Sequence, residues 1–182
     1  MSATTETLTI APAGTWQLDA VHSSVGFEVG YLAGTFKGQF RAIDARLAVA
    51  DGSATLEGTA QVASVDVKDE SLSTHLKAPD FFDAERYPEL RFSAARIAFD
   101  GEEVRAQGEL TIKGVTKPVE VTGTALAPLV DPYGNERIGF QLSATVDRTE
   151  FGVSWNAPLP SGAPALADEV TIVADQFFVK AA

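Results

Sequence analysis

The chain has 182 residues, a formal net charge of −11 and no cysteine, so disulfides and thiolate metal sites are both excluded. A pI near 4.5 means a surface that repels phosphate backbones, which rules against nucleic acid as a partner. No apolar run approaches the roughly 20 residues that a membrane-spanning helix needs, so stable membrane insertion is not expected.

Residues 1–13 are Thr-rich and carry Glu6 with no basic residue. They lack the charged start and continuous apolar stretch of a secretory signal, so a flexible tail and a cytoplasmic location are expected. Residues 14–182 read as one domain, with no repeat or linker to divide them. After a lead-in at Thr15–Asp19, eight strands are expected at about 24–31, 36–50, 54–65, 89–99, 102–112, 117–127, 136–147 and 170–179. The evidence is alternation. Leu56, Gly58, Ala60 and Val62 are separated by Glu57, Thr59 and Gln61, and Val104 to Ile112 and Ile138 to Val146 repeat the pattern. Period two of this quality marks strands with one buried and one wet face.

Asp51-Gly52 and Asp100-Gly101 each join two such runs, as hairpin turns do. Ala33-Gly34, Lys113-Gly114 and Asp131–Asn135 divide other pairs. Parity slips inside 36–50 and inside 89–99, which predicts a β-bulge in each. Between 66 and 88 the pattern turns helical: Asp66 is placed to cap a segment from Val67 to about Lys77, with Leu72 and Leu76 one turn apart. Pro79 ends it, and Asp80–Asp83 suits a further turn of helix. A connection this long is expected to cover a barrel end. The second long connection, Arg148 to Asp168, holds Trp155, three prolines and two glycines, and loops of that length are often functional.

Strands in up-and-down order favour an all-β fold, an eight-stranded antiparallel barrel, because closure removes exposed edges. A two-sheet sandwich is the alternative. Catalytic motifs are missing: the chain has no Gly-x-Ser-x-Gly elbow, P-loop or dinucleotide fingerprint. His22 and His75 lie far apart, which argues against a metal site and against an enzyme. Inward parity assigns the barrel lining to Phe27, Val29, Phe36, Phe40, Leu56, Val62, Phe92, Leu110, Phe140 and Leu142. Small residues at Gly38, Ala42, Gly58, Ala60, Ala94, Ala106, Gly108, Gly123 and Ala125 suggest room among them, and a barrel of eight strands holds one small ligand when its inward side chains are small. Candidates for a ligand head or the mouth are His22, His75, Arg148 and Trp155, with Arg91, Lys113 and Lys117 as further cations.

Five blocks in order carry a family resemblance. Trp16–Ser23 and Gly34–Phe40 resemble the opening of the YceI-like family of polyisoprenoid-binding, lipocalin-like barrels. His75–Asp83 with Tyr87–Phe92 resembles its central signature, Gly108–Pro118 its late hairpin, and Asp147–Gly152 its last block. Leu159–Ala167 departs from the usual glycine-centred loop. The resemblance implies an extended eight-stranded barrel with a short helical connection over one end, binding, storing or transporting an isoprenoid-type lipid without catalysis. It implies no cofactor beyond that lipid, and many relatives are periplasmic. A homodimer through a sheet face is open on this reading. The competing expectation is a stress-response or interaction protein whose barrel is filled and takes no lipid.

Overall fold

The computed structural model describes residues 11–50 and 53–181. Most of the expected tail and the Asp51-Gly52 turn therefore lie outside the described residues. Eleven strands run along the chain: β1 (Gly14–Leu18), β2 (Ser24–Tyr31), β3 (Gly34–Phe40), β4 (Ile43–Ala50), β5 (Ser53–Gln61), β6 (Val65–Asp66), β7 (Glu89–Asp100), β8 (Glu103–Ile112), β9 (Val115–Val130), β10 (Glu136–Asp147) and β11 (Leu166–Lys180). Among the described residues one α-helix, α1 (Glu70–Lys77), interrupts them.

Three pairs of these strands are single long staves with a kink. β1 and β2 both pair with β11, β3 and β4 follow one another along the next stave, and β5 and β6 along the third. Together with β7 to β11 they make eight staves, each antiparallel to the next. β1 pairs with β4 on one side and with β11 on the other, so the ring is closed. The barrel expected from alternation is present.

The predicted parity slips have physical sites. In β7 the register shifts between Ala94 and Arg96, leaving Ala95 as the extra residue. The stretch read as one strand over 36–50 breaks at Arg41-Ala42, where the Arg41 N–H donates to the Ser64 carbonyl (3.1 Å) and the Ala42 N–H to Ser64 Oγ (2.9 Å). The facing stretch, read as one strand over 54–65, breaks at the same level into the 3₁₀ turn Val62–Ser64. Two neighbouring staves kink together, and their freed backbone groups satisfy one another.

The helix begins later than the sequence suggested. Asp66 is still in the sheet, opposite Gln39, and its carboxylate takes Arg41 Nε (2.6 Å) and the Lys68 N–H (3.0 Å). The cap is Asp69, which accepts from the Leu72 N–H at 2.8 Å. Asp80–Asp83 forms hydrogen-bonded turns rather than helix, with the Phe81 and Asp83 N–H groups both donating to the Ala78 carbonyl. The α1 connection, the Arg148–Ala165 segment and the β2–β3 and β8–β9 turns all gather at one end of the barrel, because the antiparallel order returns to that end between those strands.

The opposite end is solid. Trp16 is 0% exposed at the seam, opposite Leu47 of β4 and Lys180 of β11. Its indole N–H donates to the Pro12 carbonyl at 3.1 Å, and Ala11 is buried beside the core, so 11–13 is not free tail. Phe140 meets Phe178 edge-on at 5.8 Å and Phe99 at 6.2 Å, with Leu47, Ile138 and Ala125 filling the gaps. On the outside of this end Arg137 bridges Asp131 (2.6 Å) and Asp19 (2.9 Å), and Asp19 also accepts from His22 Nδ1 (2.7 Å).

Two outcomes follow for stability. Trp16→Ala removes the largest side chain of the seam and should cost roughly 3–5 kcal/mol in urea unfolding; a loss below about 1 kcal/mol would show that closure does not rest there. The Asp131 carboxyl is held far below its ordinary range, first by Arg137 and then by the Asn135 N–H. A carboxyl depressed in the fold stabilises it above its unfolded pKa near 4, and that contribution is lost as pH falls toward the folded value. Asp131→Asn should therefore flatten the loss of stability below about pH 4, read from thermal unfolding across pH; an unchanged acid slope would count against the pair.

Candidate ligand-binding site

Above the solid end the barrel is hollow. A cavity of about 320 Å³ occupies the half beneath the two long connections, at the lower end of the roughly 300–1,000 Å³ typical of small-molecule pockets. Alternation puts its wall on inward positions of successive staves: Phe27 and Val29 of β2, Phe36 and Phe40 of β3, Leu56 of β5, Phe92 of β7, Leu110 of β8 and Leu142 of β10. These eight match the sequence reading.

Three predicted residues do not line it. Val62 sits on the 3₁₀ turn and is buried in the core, Phe140 belongs to the solid end, and His22 stands outside the barrel with its side chain 70% exposed beside Asp19. Parity failed for Val62 because the strand had already ended. It failed for Phe140 because parity reports which face a residue takes and says nothing about how far along the bore it lies.

The small residues also act differently from the expectation. Gly58 and Ala60 border the cavity. At Gly38 the place of a Cβ is taken by the Phe27 ring, and at Gly108 by the Ser93 carbonyl oxygen together with the Phe92 ring, each within 2.8 Å. These glycines admit an aromatic ring across the strand pair instead of leaving a void.

The lid is aromatic and hydrogen-bonded. Phe82 lies edge-on to Phe40 at 5.7 Å and near Phe27 at 6.4 Å, so the α1 connection rests on the phenylalanine cluster of β2 and β3. His75, Phe81 and Trp155 form a triangle with centroids 4.9, 5.4 and 5.3 Å apart, joining the two connections. His75, Trp155 and Arg148 line the cavity. Tyr31, 43% exposed, lines it too, so the cavity reaches the surface near the tip of the β2–β3 hairpin.

Arg148 is 6% exposed, and its donors go to backbone carbonyls: Nε to Ala167, and Nη1 to Val153 and Trp155, all at 2.8 Å. Burial pushes its guanidinium down from the usual value, with Asp168 and Asp147 opposing. It shapes the loop over the cavity. Lys113 does similar work, donating from Nζ to the carbonyls of Pro79 (2.7 Å) and Gly152 (3.2 Å), one on each lid segment. Arg91 borders the cavity, but its side chain is largely exposed and its Nε lies 3.5 Å from Glu89, while Lys117 is exposed on the surface. Among the described residues no group of three His, Asp or Glu side chains could hold a metal, and no helix is long and apolar enough to cross a membrane.

Sequence reasoning missed the wall supplied by β11. Val170, Ile172, Ala174 and Gln176 alternate into the cavity, and the alternation was readable, including a polar residue at an inward position.

Comparison with known proteins agrees with this architecture. The YceI protein of Escherichia coli O157:H7 is 31% identical over 140 residues, covering 72% of this chain and 71% of that protein. The crystal structure of Burkholderia cenocepacia BcnA superposes with a TM-score of 0.76 at 24% identity, over 88% of this chain and 98% of BcnA. A polyisoprenoid binding domain from Saccharophagus degradans, implicated in plant cell wall breakdown, has the same fold (TM-score 0.69, 11% identity, 91% and 98% coverage). The YceI-like domain model matches residues 16–178, and the chain belongs to that family.

Proposed function

We propose that the protein binds an isoprenoid-type lipid in its half-hollow barrel, to store or carry it, without chemistry on the ligand. The observation that carries this reading is a cavity walled mainly by Phe, Leu, Val, Ile and Ala, in a barrel that could have been filled. Leaving such a wall empty forfeits dispersion contacts, and an apolar chain recovers them while leaving water. The polyisoprenoid binding of the Saccharophagus domain, which shares the fold, adds support. The filled-barrel alternative describes the end around Trp16 and Phe178 only.

An enzymatic reading would need an armed polar pair inside the bore. The one histidine on the cavity wall, His75, does have a carboxylate, Asp80, at 3.7 Å. Asp80 is solvent-exposed on the lid, so the pair lacks the desolvation that arms catalytic groups.

Native mass spectrometry with organic extraction of the purified protein tests the proposal. A prenyl lipid should be recovered from the wild type. Ala144→Trp, which fills the cavity from β10, should abolish co-purification and weaken added prenyl compounds at least tenfold. Binding undiminished by the filled cavity would sink the reading.

The Lys113 staple makes a kinetic claim. Lys113→Met leaves the Pro79 and Gly152 carbonyls without their shared donor, and should speed lipid release several-fold in stopped-flow fluorescence while barrel stability changes by less than about 1 kcal/mol. Unchanged release would mean that the lid does not gate the cavity.

A further inference from the structure

Gln176 is a polar side chain in a position the fold reserves for apolar ones. On β11 the inward residues run Val170, Ile172, Ala174, Gln176 and Phe178. The first three wall the cavity, and Phe178 is the fully buried centre of the solid end. Gln176 stands between them, opposite Phe140 across the β10–β11 pair, at the cavity floor. The residue is 8% exposed, and its Oε1 has no hydrogen-bond partner. A buried amide left in this state is costly, and nothing in the packing of the solid end requires an amide there.

We infer that the Gln176 carboxamide receives a neutral hydrogen-bonding group, an alcohol or a quinone-type carbonyl, at the inner end of the ligand, so that the lipid enters polar end first with its tail toward the mouth. The inference rests on the lipid-binding reading above. The carboxamide suits both members of this class. Its oxygen accepts from a hydroxyl, its NH₂ donates to a carbonyl, and the two ends are near-isosteric, exchanging by rotation about the last side-chain torsion.

Charge is what the floor cannot accept. Among the described residues no cation lines the floor beside Gln176, Phe140 and Phe178, so a diphosphate buried there would be uncompensated. The buried cation of the cavity wall, Arg148, is at the lid end, with Nε and Nη1 given to backbone carbonyls. An ion placed at the floor would therefore keep the full penalty of leaving water.

The test compares farnesol, its hydrocarbon analogue farnesene and farnesyl diphosphate on lipid-free wild type and Gln176→Leu, by calorimetry and Trp155 fluorescence. Wild type should bind the alcohol roughly two- to tenfold more tightly than the hydrocarbon, the range one net hydrogen bond supplies, and the diphosphate most weakly. Gln176→Leu should bind alcohol and hydrocarbon alike. Without ligand, the leucine variant should melt a few degrees higher, because an unpaired buried carbonyl oxygen has gone.

An alcohol preference that survives in Gln176→Leu overturns this inference and leaves lipid binding standing. So does a diphosphate bound more tightly than the alcohol. A leucine variant melting several degrees lower also overturns it, by showing that the amide has a structural task. If wild type binds none of the three, the carrier reading and the orientation fall together.

Discussion

Eight antiparallel staves closed on themselves fix the bore at a width that side chains can just fill. Everything else in the molecule is a decision, made level by level, about whether to fill it. Around Trp16, Leu47, Phe99, Phe140 and Phe178 large residues from facing staves meet and the bore is solid. One or two residues further along each stave the inward set continues apolar but no longer meets across the middle, and the same backbone geometry encloses about 320 Å³. The solid half supplies the cooperative core that a hollow half lacks, so the cavity is tolerated because closure is anchored elsewhere, at the seam where β1 meets both β4 and β11.

The hollow half must be covered, and its cover is long irregular chain, which carries backbone polar groups needing partners. Two cations supply them. Arg148 reaches Ala167, Val153 and Trp155, and Lys113 reaches across to Pro79 and Gly152. Both residue types were natural candidates for gripping a charged head group. Their use on carbonyls instead leaves the interior with aromatic faces from His75, Phe81, Phe82 and Trp155 as its upper surface, which suits a hydrocarbon chain better than an ion.

Most of the fold was legible because period two and hairpin turns are local signals. The eight staves, the Ala95 bulge and the Arg41-Ala42 kink can all be read from where alternation holds and where it slips. Helix onset was missed by a turn, since Asp66 and Asp69 are equally good caps in sequence and only the Gln39 pairing keeps Asp66 in the sheet. Eight of the ten wall residues were placed from parity. Depth along the bore was not legible: Phe140 and Leu142 share a face, yet one closes the barrel and the other borders its cavity. Gly38 and Gly108 show the same limit, because the ring that occupies each glycine's space comes from the neighbouring strand and its rotamer is not written locally.

On the proposed lipid-binding function, the two halves divide the work of recognition. Burying each CH₂-sized group gains about 0.8 kcal/mol, against an association cost of about 4–15 kcal/mol, so roughly 5 to 19 such groups are needed to break even. An apolar wall with no directional chemistry thus converts chain length into affinity and is nearly blind to everything else about the ligand. Discrimination has to come from a feature the wall does not share, and a polar atom gains leverage in proportion to how dry its surroundings are. In the proposed orientation, a single amide at the floor, where Phe140 and Phe178 exclude water, would tell one end of a lipid from the other. At the mouth, beside half-exposed Tyr31, the same amide would compete with solvent and tell very little.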